Sequence, residues 1–396
     1  MKSGNEDSLV RENLDMVGVF HGSRAFVGPD YVTIDITNRC NLDCIACWTF
    51  SPLLEEMLAS LDWQRQQLPW DVLKQLVKDL GMLGTREIRL TGGGEPFMHR
   101  HCMDVIEEIK AQGMACAITT NFTLSPPTQI ERLADLLDTL TVSLWAGSRE
   151  SYEGSHPNRS AETFDTIKER LLYLNSIKSN APRLVMANVI GTYNYTDVGN
   201  MIDFAEEVGA AEVYFTLVDP IVGKTDRLLL NPKQREAVGA QITSKMSELQ
   251  SKGSPLVLDG VETFFRRLDN PDGDQGRYDS NRVDEIPCYV GWMFVRISAN
   301  GDVAPCCRGV PKPSGNILQE RFIDIWNGPA QQTFRRMGIT ESKSHPYFAE
   351  IDCFTTCDNL WQNEVMHNRI QALGPEERLV LARAARRLEM EPVRHG

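Results

Sequence analysis

The chain has 396 residues, a formal net charge of −13, and 42% apolar residues. This length allows one large domain plus a smaller one, and the acidic balance argues against binding the phosphates of a nucleic acid. No apolar run is long enough to span a membrane, and the polar N-terminus lacks a secretory signal, so we expect a cytoplasmic protein with no membrane partner.

From Tyr31 to about Leu217, apolar segments that predict strands alternate with amphipathic segments that predict helices. The predicted strands are Tyr31–Thr37, Glu87–Thr91, Ala115–Thr119, Leu140–Leu144, Arg183–Gly191 and Glu212–Leu217. The predicted helices are Trp70–Leu83, Met103–Gln112, Thr128–Leu137, Ala161–Ser176 and Asp197–Val208. Strands this apolar are typical of a parallel sheet covered by helices. We therefore predict an α/β fold, a partial (β/α)6 TIM-like barrel whose chemistry lies at the C-terminal strand ends.

Beyond the sixth strand the pattern changes to a long helix near Pro232–Ser251, then a polar loop and short strands with cysteines. A final helix is predicted from about Pro375 to Glu391. The predicted domains are an N-terminal extension (1–30), the partial barrel (31–252), a small cysteine-rich domain (253–374) and a C-terminal helix (375–396).

The chain has ten cysteines, and eight of them fall in two groups. The first group is Cys40, Cys44 and Cys47, and the second is Cys288, Cys306, Cys307, Cys353 and Cys357. Disulfides are disfavoured in a reducing compartment, so clustered cysteines indicate metal binding or catalysis. Cys102 and Cys116 stand apart and are expected to be small buried residues.

The first group follows the first predicted strand with the spacing Cys-x3-Cys-x2-Cys. Three thiolates can hold a 4Fe-4S cluster and leave one iron without a protein ligand, where a small molecule can chelate. The alternative is zinc, which normally takes four protein ligands, and no fourth Cys or His lies nearby in sequence.

This motif resembles the signature of the radical S-adenosylmethionine (SAM) superfamily. The resemblance implies that SAM binds the open iron, is cleaved reductively, and yields a 5′-deoxyadenosyl radical that abstracts hydrogen from the substrate. It also implies an electron donor of the flavodoxin or ferredoxin type. One departure is that many members have an aromatic residue just before the third cysteine, whereas this chain has Ala46 there and Trp48 after it.

Later strand ends carry further motifs similar to those of the family, starting with the run from Gly92 to Glu95. The resemblance implies SAM-binding roles for Gly93, Gly94, Glu95, Asn121, Ser143 and Arg159. In the family, the Gly-Gly-Glu segment holds the methionine amino group of SAM. Relatives use a serine near the SAM ribose and carboxylate, where this chain has Ser143, and Arg159 is a candidate to pair with that carboxylate. The alternatives are a strand-end hydrogen bond for Ser143 and a solvated charge for Arg159.

The second cysteine group, with Gly301 five residues before Cys306, resembles the auxiliary-cluster modules called Twitch and SPASM. The resemblance implies that one auxiliary 4Fe-4S cluster is held by Cys288, Cys306, Cys353 and Cys357. Five cysteines are too few for a full SPASM module with two clusters, so the shorter Twitch layout is expected. Structural zinc is the alternative.

The resemblance leaves the substrate open, since fold and cofactor do not set it. We favour a small polar substrate, a sugar, nucleotide sugar or aminocyclitol, that undergoes dehydrogenation or epimerisation. The alternative is a peptide- or protein-modifying maturase, and a remote one is a non-enzymatic iron–sulfur electron carrier. If Cys306 is the ligand, Cys307 is left as a candidate catalytic thiol that donates hydrogen in an epimerase.

Two further segments are candidates for the substrate site. The long stretch Trp48–Pro69 is expected to be an extra packed helix, with a lid over the site as the alternative. Asp219, at the end of the sixth strand, could orient a hydroxyl group or equally cap a turn.

Overall fold

The computed structural model describes residues 2–179, 181–353 and 355–389. The described residues form two compact units. The sheet unit consists of Ile34–Leu68 and Arg89–Ser280, and the terminal unit takes the described residues of Met1–Thr33, Pro69–Ile88 and Asn281–Gly396. The division is made by contacts and falls within the first two strands, so the sequence-based domain limits stay a prediction.

The strands of the parallel part of the sheet follow one another in chain order. They are β1 (Tyr31–Asp35), β2 (Glu87–Thr91), β3 (Ala115–Thr120), β4 (Thr139–Ser143), β5 (Arg183–Ile190), β6 (Glu212–Leu217) and β7 (Val257–Asp259). The α/β class with a largely parallel sheet is confirmed. The sequence did not predict β7, which pairs in parallel with β6, because three residues are too few to stand out as a strand.

The registers of β4 to β7 place one residue of each strand in a single row. Ser143 pairs with Ala187, which pairs with Tyr214, which pairs with Asp259. Side chains alternate across each strand, so in β4 Leu140 is fully buried whereas Ser143 lies on the more accessible face. This accessible row is where strand-end side chains can meet a ligand.

Helices connect and flank the strands. They are α1 (Lys2–Glu12), α2 (Leu14–His21), α3 (Leu61–Gln64), α4 (Trp70–Met82), α5 (Cys102–Ala111), α6 (Pro127–Leu136), α7 (Arg149–Ser155), α8 (Ala161–Ile177), α9 (Val198–Glu207), α10 (Pro232–Lys252), α11 (Val261–Leu268), α12 (Phe322–Trp326), α13 (Pro329–Thr340), α14 (Pro346–Ala349), α15 (Leu360–Ala372) and α16 (Pro375–Glu389). The end of the final helix predicted at Glu391 lies outside the described residues. Among the described residues, no helix has the length and hydropathy of a membrane span.

The terminal unit contains an antiparallel group of short strands, β8 (Phe294–Ile297), β9 (Asp302–Ala304) and β10 (Gly315–Asn316). The Asn300-Gly301 turn connects β8 to β9, and Gly301 has a φ of 89°, which favours glycine. This turn positions Cys306 shortly after β9.

The segment before β1 is bound to the C-terminal half of the terminal unit. The indole of Trp292 donates to the carbonyl of Arg24 at 2.9 Å, and that of Trp326 donates to Val27 at 2.8 Å. Arg335 is fully buried, with its guanidinium 4.3 Å from the Trp326 ring centroid. It donates to the carbonyl of Gly291 at 2.8 Å, so this arginine is part of the core of the unit.

Candidate active site

The first cysteine group forms a loop directly after β1 in the sheet unit. Backbone N–H groups point at two of its sulfur atoms. Leu42 donates to Cys40 Sγ at 3.5 Å, and Thr49 and Phe50 each donate to Cys47 Sγ at 3.4 Å. Hydrogen bonds of this kind stabilise thiolates that bind iron.

The three thiols of this loop are half-buried. Burial raises the pKa of Cys40 to about 12. The pKa of Cys44 is raised well above its usual value, first by burial and then by the neighbouring Cys47 and Cys40. Three adjacent half-buried thiols become ligands only where a metal supplies positive charge, because metal binding requires the thiolate. The donor set therefore fits the cluster predicted for it. No group of three or more His, Cys, Asp or Glu side chains in the described residues is placed to hold a single metal ion.

Asn41, inside the cysteine loop, is bound from two sides. Its side-chain oxygen accepts from Asn121 at 2.9 Å, and its amide donates to Thr123 at 2.8 Å. Its backbone carbonyl accepts from Arg159 at 2.6 Å and from Asn158 at 3.3 Å. Two of the predicted SAM-binding residues, Asn121 and Arg159, thus contact the cysteine loop itself, and their contacts with SAM stay predictions.

The glycine run after β2 lies against the residues that precede Cys40. A Cβ atom on Gly94 would stand 2.1 Å from the carbonyl oxygen of Arg39, and one on Gly93 would stand 2.3 Å from Asn38 Oδ1. Glu95 N–H donates to that same Arg39 carbonyl at 2.8 Å. Only glycine permits this close approach, which fixes the loop after β2 to the start of the cysteine loop.

The carboxylate of Glu95 is buried and bonded within the protein. One oxygen accepts from the Thr120 hydroxyl at 2.7 Å and from the N–H of Phe97 at 3.1 Å, and the other accepts from the N–H of Asn121 at 2.8 Å. Burial raises the pKa of Glu95 to about 7, against the opposite effect of these hydrogen bonds. The side chain therefore joins the ends of β2 and β3, and its predicted contact with the methionine amino group stays a prediction.

Sequence reasoning missed an aromatic group beside the cysteine loop. The Tyr152 and His156 rings are stacked, with centroids 4.3 Å apart, and both are buried. Burial lowers the pKa of His156 to about 4. Burial and then Cys44 raise the pKa of both Tyr152 and Tyr193, which places these phenols near the loop. Nothing in the local sequence distinguishes these side chains from ordinary core aromatics.

The segment between the cysteine loop and α4 does not form the extra packed helix that was predicted for Trp48–Pro69. It contains a 3₁₀ stretch at Pro52–Met57 and the single turn α3. Trp48 donates its indole N–H to the carbonyl of Asp219 at 2.9 Å, and Lys224 bonds to Glu55 at 3.2 Å. The segment is thus tied to the loop after β6, where Asp219 lies.

The second cysteine group lies in the terminal unit around a buried apolar cluster that includes Cys306 and Phe348. The pKa of Cys306 is raised by burial and then by Cys353, Cys288 and Cys307. The pKa of Cys357 is raised by burial and then by Cys353, Cys288 and Cys306. The four predicted ligands therefore lie near one another. Cys307 donates its backbone N–H to the side chain of Asn359 at 3.2 Å.

Comparison with known families agrees with both sites. The family model of the Radical SAM superfamily matches residues 34–205, and that of SPASM, an iron-sulfur cluster-binding domain, matches residues 288–370. Fold and sites together define an enzyme that binds SAM on an iron–sulfur cluster. The chain therefore contains a Radical SAM domain followed by a C-terminal SPASM-type domain. It binds a 4Fe-4S cluster, an auxiliary cluster and SAM.

Curated relatives span both domains. The chain is 26% identical over 322 residues to PqqA peptide cyclase from Xanthomonas euvesicatoria, covering 78% of this chain and 77% of the relative. It is 22% identical over 362 residues to a tungsten-containing aldehyde ferredoxin oxidoreductase cofactor-modifying protein from Pyrococcus furiosus. The match covers 84% of this chain and 92% of that relative. The structure of Streptococcus suis SuiB bound to precursor peptide SuiA shares the fold, with a TM-score of 0.61 and 15% identity. The match covers 90% of this chain and 75% of SuiB.

These comparisons overturn the predicted substrate. A sugar, nucleotide sugar or aminocyclitol was expected from the sequence, and that prediction is wrong. It depended mainly on the small number of C-terminal cysteines, yet the relatives include PqqA peptide cyclase and the subtilosin biosynthesis protein AlbA of Bacillus subtilis, which is 25% identical over 314 residues. The number of cysteines indicates how many clusters a domain holds, and it carries no information on the class of substrate.

Proposed function

We propose that this enzyme modifies a peptide or protein substrate by radical chemistry. The observation that carries the proposal is the alignment with PqqA peptide cyclase across both the SAM-binding and the cluster-binding domains. A match to the first domain alone would support SAM cleavage without bearing on the substrate. The dehydrogenase and epimerase types of chemistry have no such support.

The first cluster, when bound, supplies the electron that cleaves SAM and produces the hydrogen-abstracting radical. Cys40, Cys44 and Cys47 would be its ligands. Asn121 and Arg159 hold the loop in register through Asn41. A loop fixed in this way would hold the three thiolates in one arrangement, which matters because a small misplacement of reacting atoms slows a reaction strongly.

The glycine run and Ser143 are suited to hold SAM itself. Gly93 and Gly94 lie half-buried in the loop after β2, and Ser143 is the half-buried last residue of β4. Glu95 fixes the glycine run from behind by accepting from Asn121. Backbone donors and acceptors held this way can bind the methionine part of SAM without a side-chain rearrangement.

The experiment compares substrate classes with the anaerobically reconstituted enzyme and dithionite. Synthetic peptides encoded by short reading frames beside the gene are tested against a panel of sugars, nucleotide sugars and aminocyclitols. We expect a peptide to stimulate 5′-deoxyadenosine formation and to change in mass, with the Cys40, Cys44 and Cys47 alanine variant as the inactive control. Stimulation by a carbohydrate, with every peptide inert and unmodified, would contradict the proposal.

A further inference from the structure

A lysine is buried beside the second cysteine group. Lys343 is 4% exposed, and its ammonium donates to the carbonyl of Gly338 at 3.5 Å. The same carbonyl accepts the backbone N–H of Cys288 at 2.8 Å. A Cβ atom on Gly338 would stand 3.4 Å from the Cβ of Cys288, so the backbone that holds Lys343 also contacts this predicted ligand.

The positive charge of Lys343 has no carboxylate partner among the residues that the structure describes. The nearby Asp284 instead accepts the backbone N–H of Lys343 at 2.6 Å and the hydroxyl of Ser342 at 2.8 Å. Arg308, the other cation near Cys353, lies 3.4 Å from the carboxylate of Asp352. The ammonium of Lys343 also lies 5.3 Å from the ring centroid of Phe348, an apolar environment.

A buried ammonium without a counter-ion is costly, and such charges are normally paired. The negative charge available here is that of the thiolates. Lys343 and Cys288 share the Gly338 carbonyl, and the Phe348 ring beside the ammonium belongs to the apolar cluster against which Cys288 and Cys353 pack. The positive charge of Lys343 is therefore balanced only when the neighbouring cysteines are thiolates, as they are around a cluster.

We propose that Lys343 is a positioning residue that tunes the auxiliary cluster, its ammonium lying against the Cys288 side of the ligand set and raising the reduction potential. Reduction adds one electron, and so one negative charge, to a cluster held by four thiolates. A nearby cation in a medium of low dielectric stabilises that extra charge. An auxiliary cluster tuned in this way is a better electron acceptor.

The test measures the auxiliary cluster alone. The full chain with Cys40, Cys44 and Cys47 replaced by alanine is reconstituted, and the midpoint potential is determined by dithionite titration followed by electron paramagnetic resonance. Lys343→Met should shift the potential to a more negative value, and Lys343→Arg should keep it near that of the parent. Lys312→Met is the matched control, because Lys312 lies over the Tyr347 ring but is paired with Glu350 at 2.8 Å.

A Lys343→Met potential equal to that of the Lys312→Met control would overturn the proposal. If Lys343→Met binds no auxiliary iron, iron content becomes the readout. Loss of iron with methionine and retention with arginine then supports a requirement for the charge. Equal loss with both substitutions contradicts it, since a merely structural side chain would behave in that way.

Discussion

The carboxylate of Glu95 accepts the backbone N–H of Asn121 at 2.8 Å, and the side chain of Asn121 in turn donates to Asn41 at 2.9 Å. This chain of contacts runs from the glycine loop through the end of β3 into the cysteine loop. The residues predicted to touch SAM are therefore also the residues that set the position of the cluster ligands.

Glu95→Gln should weaken this connection. A glutamine offers one acceptor oxygen where Glu95 uses two, so at least one buried donor loses its partner, at a cost of about 1–3 kcal/mol. We expect a lower melting temperature and weaker SAM binding by equilibrium dialysis. Glu236→Gln, at an exposed position on α10, is the control and should change neither quantity.

Arg159→Lys should loosen the cysteine loop. Lysine lacks the planar fork with which Arg159 reaches the carbonyl of Asn41 at 2.6 Å. We expect faster release of the first cluster's iron to a chelator, while iron bound by the second cysteine group is released at the parent rate. Arg149→Lys on α7 serves as the control. Equal release kinetics in all three proteins would show that this contact does not hold the loop.

Cys306→Ala and Cys307→Ala should differ in iron content. The pKa of Cys306 responds to Cys353 and Cys288, and Cys357 responds to Cys306, which places Cys306 within the ligand set. We expect the Cys306 variant to lose the auxiliary iron and the Cys307 variant to keep it, as measured in the variant without the first cluster. The reverse result would make Cys307 the ligand.

His156 should make stability fall in mild acid. Burial lowers its pKa from 6.5 to about 4, so the unfolded chain takes up a proton below pH 6.5 while the folded chain does not until about pH 4. This group contributes stability above pH 6.5 that is lost as the pH falls towards 4, up to about 3 kcal/mol. His156→Phe should flatten the melting temperature across this window at matched iron loading. An unchanged slope would contradict the assignment.

Arg335→Met should destabilise the terminal unit by about 2–4 kcal/mol, because the carbonyl of Gly291 and other buried acceptors lose a charged donor. The contact with the Trp326 ring is lost as well. Denaturant unfolding measures the effect. Arg336→Met, one residue away and exposed, is the control and should stay within about 0.5 kcal/mol of the parent.

The strands from β2 to β6 were predicted to within a residue or so, because short apolar runs between polar turns are typical of buried strands. The cysteine loop could also be predicted from the sequence, since Cys-x3-Cys-x2-Cys is a rare spacing. Contacts made across long sequence distances were not predictable. The bond from Arg159 to Asn41 joins residues 118 positions apart, and nothing local to either one indicates it.

The N-terminal segment shows the same limit. The first thirty residues were treated as an extension, yet the carbonyls of Arg24 and Val27 accept from Trp292 and Trp326, far along the chain. The role of Lys343 cannot be predicted from the sequence either, where it is a single lysine in a short polar stretch. The proposed role of Lys343 depends on its burial and on its proximity to the cysteines, and both arise only in the folded chain.

Cys40, Cys44 and Cys47 are expected to hold the cluster that cleaves SAM, and every other role assigned to the enzyme depends on this cluster. The decisive experiment is 5′-deoxyadenosine formation by the reconstituted protein with dithionite, compared with a variant that has alanine at all three positions. We expect product from the parent and none from the variant, although the variant retains the iron of its auxiliary cluster. Product formed by the variant at the parent rate would show that these cysteines do not hold the SAM-cleaving cluster.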